Sequence, residues 1–326
     1  MKGIRMERSQ KLAKHIVIVD GPSCSGKSLV CPLISTMRRS ELWLTDHIYE
    51  YLSAMHGHGR IPRDAASALV RLYADFDLYN LQIGRYTNLR PTDTTGAAMN
   101  LLEGRYQRRL SIGDGDVVVR RIRRTSPILI LMTHFIFNES DLLFDAFGAR
   151  LKLYVMTMRH PLSLLRYWHG GNWDNRIGRD PREFQLSYRA GKKIVPWYAF
   201  RWAKHYQALR PYEKSIVTVV YLIDSFKRKL KTVSKQKKEK LLLIPFEKFA
   251  MNPDPVMGKI ASRLGTVTTP LTQRMIKRLW NGRKDPLREL EAQRTNLEGV
   301  LRKERVSSKI RSALERVCRE YEEEYL

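Results

Sequence analysis

The sequence predicts an α/β fold with a mainly parallel central sheet flanked by helices. Short apolar runs rich in β-branched residues alternate with longer stretches of helical character, the pattern of a parallel sheet whose crossovers are helices. The first such run, "HIVIVD" at 15–20, passes through a glycine turn into the helix-compatible "SLVCPLISTMRR". Each candidate strand ends near a polar or charged residue, and open α/β sheets gather ligands at the carboxyl ends of their strands.

In chain order, a basic tail (1–14) precedes candidate strands His15–Asp20, Leu42–Thr45, Ile128–Thr133, Leu151–Met158 and Leu241–Pro245. This arrangement would let Asp20, Asp46, His134 and Arg159 share one crevice. Residues 50–125 are helical and polar by turns, with "NLRPTDTTG" as a loop, and read as a substrate-covering region. The segment 215–240 reads as a basic insertion: "SIVTVVYLI" is an extra strand or a helix, and "FKRKLKTVSKQKKEK" carries eight Lys/Arg against one Glu. The latter is either an exposed, mobile insertion or a docking patch for an acidic surface. From Ser307, the spacing of Ile310, Leu314, Val317, Tyr321 and Tyr325 is helical, with Ser307 or Ser308 as the N-cap. The whole, 1–326, is expected to form one domain.

The chain's 326 residues, 43% of them hydrophobic, can furnish a real core. Lys and Arg number 59 against 33 Asp and Glu, a net charge of +26 that draws polyanions such as nucleotides and acidic glycans. Cys24, Cys31 and Cys318 offer neither a metal-ligand spacing nor an even disulfide set, so all three are expected to be thiols in a reducing compartment. No run is long enough for a signal segment or a bilayer span, and a soluble, cytoplasmic protein is the expectation.

Gly21, Gly26, Lys27 and Ser28 fulfil G-x-x-x-x-G-K-S between a strand and a helix. Glycines there let backbone N–H groups curl around phosphate oxygens at a helix N-terminus, and the lysine adds a mobile positive charge. In an ATP enzyme Ser28 would ligand Mg²⁺ and Asp46 would stand as base, the chemistry of a small-molecule kinase. No apolar run ends in a convincing second metal-binding Asp, which leaves that reading incomplete.

Four stretches then follow in fixed order: "SPILILMTHFIF", "LKLYVMTMRHPLSLLRYWH", "FQLSYRAGKKIVPWYAFRWAKHY" and "LLLIPFEKFAMNPDPVMGKIASRLG". The series resembles the sulfotransferase family, whose members use 3′-phosphoadenosine-5′-phosphosulfate (PAPS) on a P-loop-type sheet. The features that carry the resemblance are Thr133-His134, Arg159-His160-Pro161 with Tyr167 and Trp168, Gly191-Lys192 with Trp197-Tyr198, and Phe246-Glu247-Lys248 before Asn252-Pro253 and Leu264-Gly265. Arg283 and Lys284 in "NGRKDP" are similar to the family's late Arg-Lys-Gly loop. Three positions depart from the pattern: Lys27 lies on the other side of the glycine, Tyr167 stands where a 3′-phosphate-binding Ser is usual, and Asp285 replaces the glycine of the late loop.

The resemblance implies transfer of a sulfuryl group from PAPS to a hydroxyl or amine without a metal. Lys27 and His134 would be the catalytic residues, His134 taking the acceptor proton. Ser25, Gly26, Lys27, Ser28, Arg159, Ser163, Arg283 and Lys284 would bind the donor, with Ser163, one turn earlier on the helix, substituting for the serine that Tyr167 replaces. Trp197 and Tyr198 are expected in packing, in the core or beside the adenine. Arg60, Arg85 and Arg90 are candidates for gripping an acidic acceptor. ATP with Mg²⁺ is the alternative donor, and a nucleotide- or polyanion-binding protein without turnover the third reading.

Overall fold

β1 (His15–Asp20) is enclosed on both faces, with Ile16, Val17, Ile18 and Val19 fully buried, as a central parallel strand under helices must be. The computed structural model describes residues 4–172 and 176–326. Four parallel strands form the main sheet in the order β2 (Ile128–Met132), β1, β3 (Leu151–Met158) and β6 (Leu241–Pro245). A separate antiparallel hairpin, β4 (Ser187–Ala190) and β5 (Lys193–Pro196), turns at Gly191, whose φ of 62° suits a residue without a Cβ. The fold is therefore α/β with a mainly parallel sheet.

The expected strand Leu42–Thr45 is not a regular strand. Residues 40–44 run parallel to β2 but reach it only through isolated bridges at Ser40 and Leu44. Side chains intercept the ladder between them: the amide of Leu42 donates to the Tyr106 hydroxyl (2.7 Å) and that of Trp43 to Ser35 Oγ (3.1 Å).

Helices α1 (Lys27–Ser35), α2 (Ile48–Gly57), α3 (Arg63–Gln82), α4 (Glu103–Arg109), α5 (Asp116–Thr125), α6 (Asp141–Phe147) and α7 (Pro161–Gly170) cover the sheet and its β2 edge. In α3, Ala66, Val70, Ala74, Leu78 and Leu81 recur every three or four residues and are buried. On the same helix, the buried Asp75 accepts from the amides of Leu12 (2.9 Å) and Ala13 (3.0 Å) and pairs with Arg8, tying the basic tail down. Glu41 is likewise buried, and accepts from Gln82, Tyr106 and Arg109, which fastens α4 beside the irregular segment.

The region read as a basic insertion is built into the fold. Pro211–Thr232 is one helix with Tyr212, Ile216, Val219, Leu222 and Phe226 buried, packed on α7 and the C-terminal helix. "SIVTVVYLI" is thus helical, because its apolar residues fall on one face of a 3.6-residue period. Some of the lysines are half-buried and tie the segment to neighbouring helices, Lys227 pairing with Glu320 and Lys237 with Asp141. The C-terminal helix, Ser308–Tyr325, buries Leu314, Val317, Cys318, Tyr321 and Tyr325, with Ser307 at its N-cap position. All three cysteines are free thiols. Among the described residues no helix is long and apolar enough to cross a membrane.

Candidate active site

The loop after β1 folds as its glycines require. Gly21 has φ 143° and Gly26 φ 106°, and a Cβ at either would lie 2.3 Å from the Thr157 carbonyl oxygen or 2.6 Å from the Phe246 ring. Thr157, on β3, supports the loop by hydrogen bonding to Ser25 Oγ (2.6 Å), and the Trp168 indole of α7 donates to the Ser23 carbonyl (3.1 Å). Ser25 thereby spends its hydroxyl on loop structure, donating to the Pro22 carbonyl (2.6 Å) and accepting from Thr157. The first-turn amides of Lys27 and Ser28 have no intrahelical acceptor by geometry and carry the positive end of the α1 dipole.

Lys27 is only 4% exposed, and its ammonium donates to the carbonyls of Gly21 (2.7 Å) and Pro22 (2.8 Å). Burial lowers its pKa to about 8, against the opposing pull of Asp20 and Glu50. Its charge also depresses His134, which links the loop to the end of β2.

His134 belongs to a three-residue relay. Its Nδ1 lies 2.9 Å from Glu50 Oε1, and His47 Nδ1 lies 3.4 Å from Glu50 Oε2, with the two imidazoles stacked at 5.8 Å. Glu50 is buried, yet its hydrogen bonds to His134 and His47 outweigh desolvation and hold its pKa below the ordinary carboxylate value. An ionised carboxylate only accepts, so Nδ1 of His134 carries the proton and Nε2 is left as a base. Burial lowers the His134 pKa, with Lys27 acting in the same direction and Glu50 opposing. The donor atoms of His47, Glu50 and His134 lie within 4.8 Å of one another, close enough to share a cation. In the hydrogen-bonded arrangement found here, both Nδ1 atoms are instead engaged by the carboxylate.

A cleft of about 470 Å³ opens beside the loop, lined by Gly26, Ser28, Arg159, Arg283 and Lys284 among others. Arg159, at the end of β3, is 8% exposed and held between aromatic faces, its Cζ 4.0 Å from the Phe246 ring centroid and 4.8 Å from that of Tyr167. Its Nη1 donates to the Cys24 carbonyl (3.1 Å), Nη2 lies 3.9 Å from Glu289, and Nε is buried without a partner among the described residues. Burial, then the charge of Arg159, lowers the pKa of Arg283, a repulsion that an anion between them would relieve. Asp285 turns away to cap the helix Pro286–Lys303, accepting from the Leu287 amide (2.9 Å).

The structure does not bring every candidate here. Ser163 is buried and bonds Gln293 (3.0 Å), because its position on α7 faces the helix Pro286–Lys303 rather than the cleft. Trp197 packs against Phe135 in the core, its ring centroid 6.1 Å away. Asp46 accepts from the Ile48 amide (3.0 Å) and lines a second cleft, of about 710 Å³. Arg85 lines that second cleft too, whereas Arg60 lies over Phe200 and Arg90 is exposed. Glu50 escaped the sequence reading, although His47 and Glu50, three apart at the start of a helix, share one face.

No family model and no curated protein matches the sequence. Among solved structures, the chain is similar to a sulfotransferase domain from the curacin biosynthetic pathway (TM-score 0.41, 13% identity, covering 83% of this chain and 79% of that one). It is also similar to a sulfotransferase domain from the Synechococcus PCC 7002 olefin synthase (TM-score 0.39, 14% identity, covering 87% and 82%).

Proposed function

We propose that the chain is a sulfotransferase that uses PAPS and carries the sulfuryl group to a hydroxyl or amine. The observation behind this reading is the 470 Å³ cleft, in which a phosphate-binding loop faces Arg159, Arg283 and Lys284. A donor with a phosphate at each end of its nucleoside calls for two such groups of donors. The buried, unpartnered Nε of Arg159 and the repulsion between Arg159 and Arg283 fit an anion at that second position.

The amides at Lys27 and Ser28 would hold the 5′-phosphate, and Arg159, Arg283 and Lys284 the 3′-phosphate. Bound there, the donor supplies a sulfuryl group whose S–O bond to phosphate breaks, the electron pair leaving on the phosphate oxygen, as the acceptor oxygen or nitrogen bonds to sulfur. Lys27 adds positive charge at the inner face of the loop. His134 takes the acceptor proton on Nε2, while Glu50 holds Nδ1–H and stabilises the imidazolium that results. Residues 50–125 form the acceptor side, since Tyr51, Tyr73, Phe76 and Asp77 line the 710 Å³ cleft.

The complete G-x-x-x-x-G-K-S loop, with Ser28 lining the cleft, favours a second reading in which ATP and Mg²⁺ occupy it and Asp46 is the base. A thermal-shift panel of adenosine 3′,5′-bisphosphate, PAPS, ADP and ATP, with and without Mg²⁺, separates the two. A ligand at 100 times its Kd adds about 2.7 kcal/mol of stability. Stabilisation by the 3′,5′-bisphosphate without metal supports the sulfotransferase, and stabilisation by ATP only with Mg²⁺ supports the kinase.

A further inference from the structure

We infer that the 710 Å³ cleft takes a ring-bearing organic cation, an amine whose ammonium meets Asp77 and Asp46, and not the acidic acceptor that the chain's overall charge suggests. The inference rests on the sulfotransferase reading for calling that ligand an acceptor. The cleft itself stands on its own geometry.

In a chain of net charge +26, the described residues that line this cleft include two carboxylates, Asp46 and Asp77. Its one arginine, Arg85, faces Asp114 at 3.5 Å, which offsets its charge. Its one histidine, His47, is held by Glu50. Helix α3 forms one wall: Tyr73, Phe76, Asp77 and Asn80 follow the spacing that places residues on a single helical face. Phe76 and Tyr86, exposed apolar rings with centroids 6.2 Å apart, continue that wall, and the Tyr51 hydroxyl donates to the Phe184 carbonyl at the rim. Aromatic faces and carboxylates together suit a cation attached to a ring.

Two observations point to a polar, charged ligand. Asn80 lines the cleft, is 2% exposed, and has no partner among the described residues for either its Oδ1 or its Nδ2, an arrangement that is costly unless something polar completes it. Asp77 is pushed up to about 7 by burial, reinforced by Asp46, even though the Tyr49 hydroxyl donates to it at 2.6 Å. A cation beside Asp77 offsets both effects. The cleft also reaches the chemistry: His47 lines it and shares Glu50 with His134.

The test is calorimetric titration of the full chain with three ligands of the same ring: 1-naphthylmethylamine, 1-naphthalenemethanol and 1-naphthoate. The amine should bind roughly 10-fold or more tightly than the alcohol, as expected for a contact with a charged partner, and the naphthoate should bind weakest. In Asp77→Asn, and separately in Asp46→Asn, the amine should fall toward the alcohol while the alcohol keeps its affinity. Naphthoate binding as tightly as the amine, an amine preference that survives both variants, or no saturable binding by any of the three would overturn the inference. No nucleotide is present in this titration. If the bisphosphate fails to bind while the amine preference holds, the sulfotransferase reading falls and the cation site stands.

Discussion

The two clefts differ in charge and in how they are built. The one beside the phosphate loop gathers Arg159, Arg283 and Lys284 around backbone amides, and the one beyond α3 gathers Asp46, Asp77 and aromatic rings. Lys27 belongs to the loop that lines the first, and His47, which lines the second, shares Glu50 with His134. In a chain of net charge +26 the first cleft follows the global field and the second opposes it. The difference teaches that net charge reports on the first cleft alone, because a local pair of carboxylates shielded by burial sets its own potential.

If the relay of His47, Glu50 and His134 is the chemical centre, breaking it should cost rate and leave both clefts able to bind. His134→Ala should lower kcat by on the order of 10²–10⁴, as loss of a general base does, with the affinity for adenosine 3′,5′-bisphosphate unchanged by calorimetry. An unchanged kcat would remove His134 from the mechanism.

Glu50→Gln should cost less, on the order of 10² in kcat, because the imidazole stays in place but loses the carboxylate that fixes its tautomer. Glu50 supports the protonated form of His134, so its loss should also move the ascending limb of the pH–rate profile to lower pH. A purely structural role for Glu50 would leave that limb where it is.

The wild-type kcat/KM should be bell-shaped in pH. It should rise as His134 loses its proton below 6.5, its pKa being lowered by burial. It should fall above about 8 as Lys27 loses its charge and the loop its cation. A descending limb that survives in Lys27→Met would assign it to another group.

Stability should run the other way. Lys27 titrates at about 8 when folded and at the ordinary 10.5 when unfolded, so between these values the unfolded chain binds more protons. Its contribution to stability therefore rises with pH across that window, by up to about 1.4 kcal/mol per pH unit. Urea midpoints of wild type and Lys27→Met at pH 8 and pH 10 measure the difference. Equal pH slopes in the two proteins would mean that Lys27 is not buried as a cation.

The cationic cleft was far more legible in the sequence than the acidic one. The loop is contiguous, and its glycines, lysine and serine carry their geometry with them. Arg159 could be placed because it ends a strand, and Arg283 and Lys284 because a short loop holds them together. Ser163 misled because one turn of α7 rotates it toward Gln293. Leu42–Thr45 looked like a strand because its apolar pattern does not reveal that Tyr106 and Ser35 would capture its amides. The lysines of 226–240 masked the apolar stripe that makes Pro211–Thr232 a packed helix. Glu50, Asp77 and Asn80 gain their meaning only when α2 and α3 are set against the end of β2, a relation between elements that no local pattern encodes.

The central claim is that the cationic cleft reads a 3′-phosphate, and the most direct measurement is the calorimetric affinity of adenosine 3′,5′-bisphosphate relative to adenosine 5′-monophosphate, in wild type and in Arg159→Ala. A hydrogen bond to a charged group is worth about 1.5–3 kcal/mol, so the wild type should prefer the bisphosphate and Arg159→Ala should lose roughly 10- to 150-fold of that preference without any Mg²⁺. Equal affinities for the two nucleotides in wild type, or ATP binding more tightly than the bisphosphate and only with Mg²⁺, would contradict it.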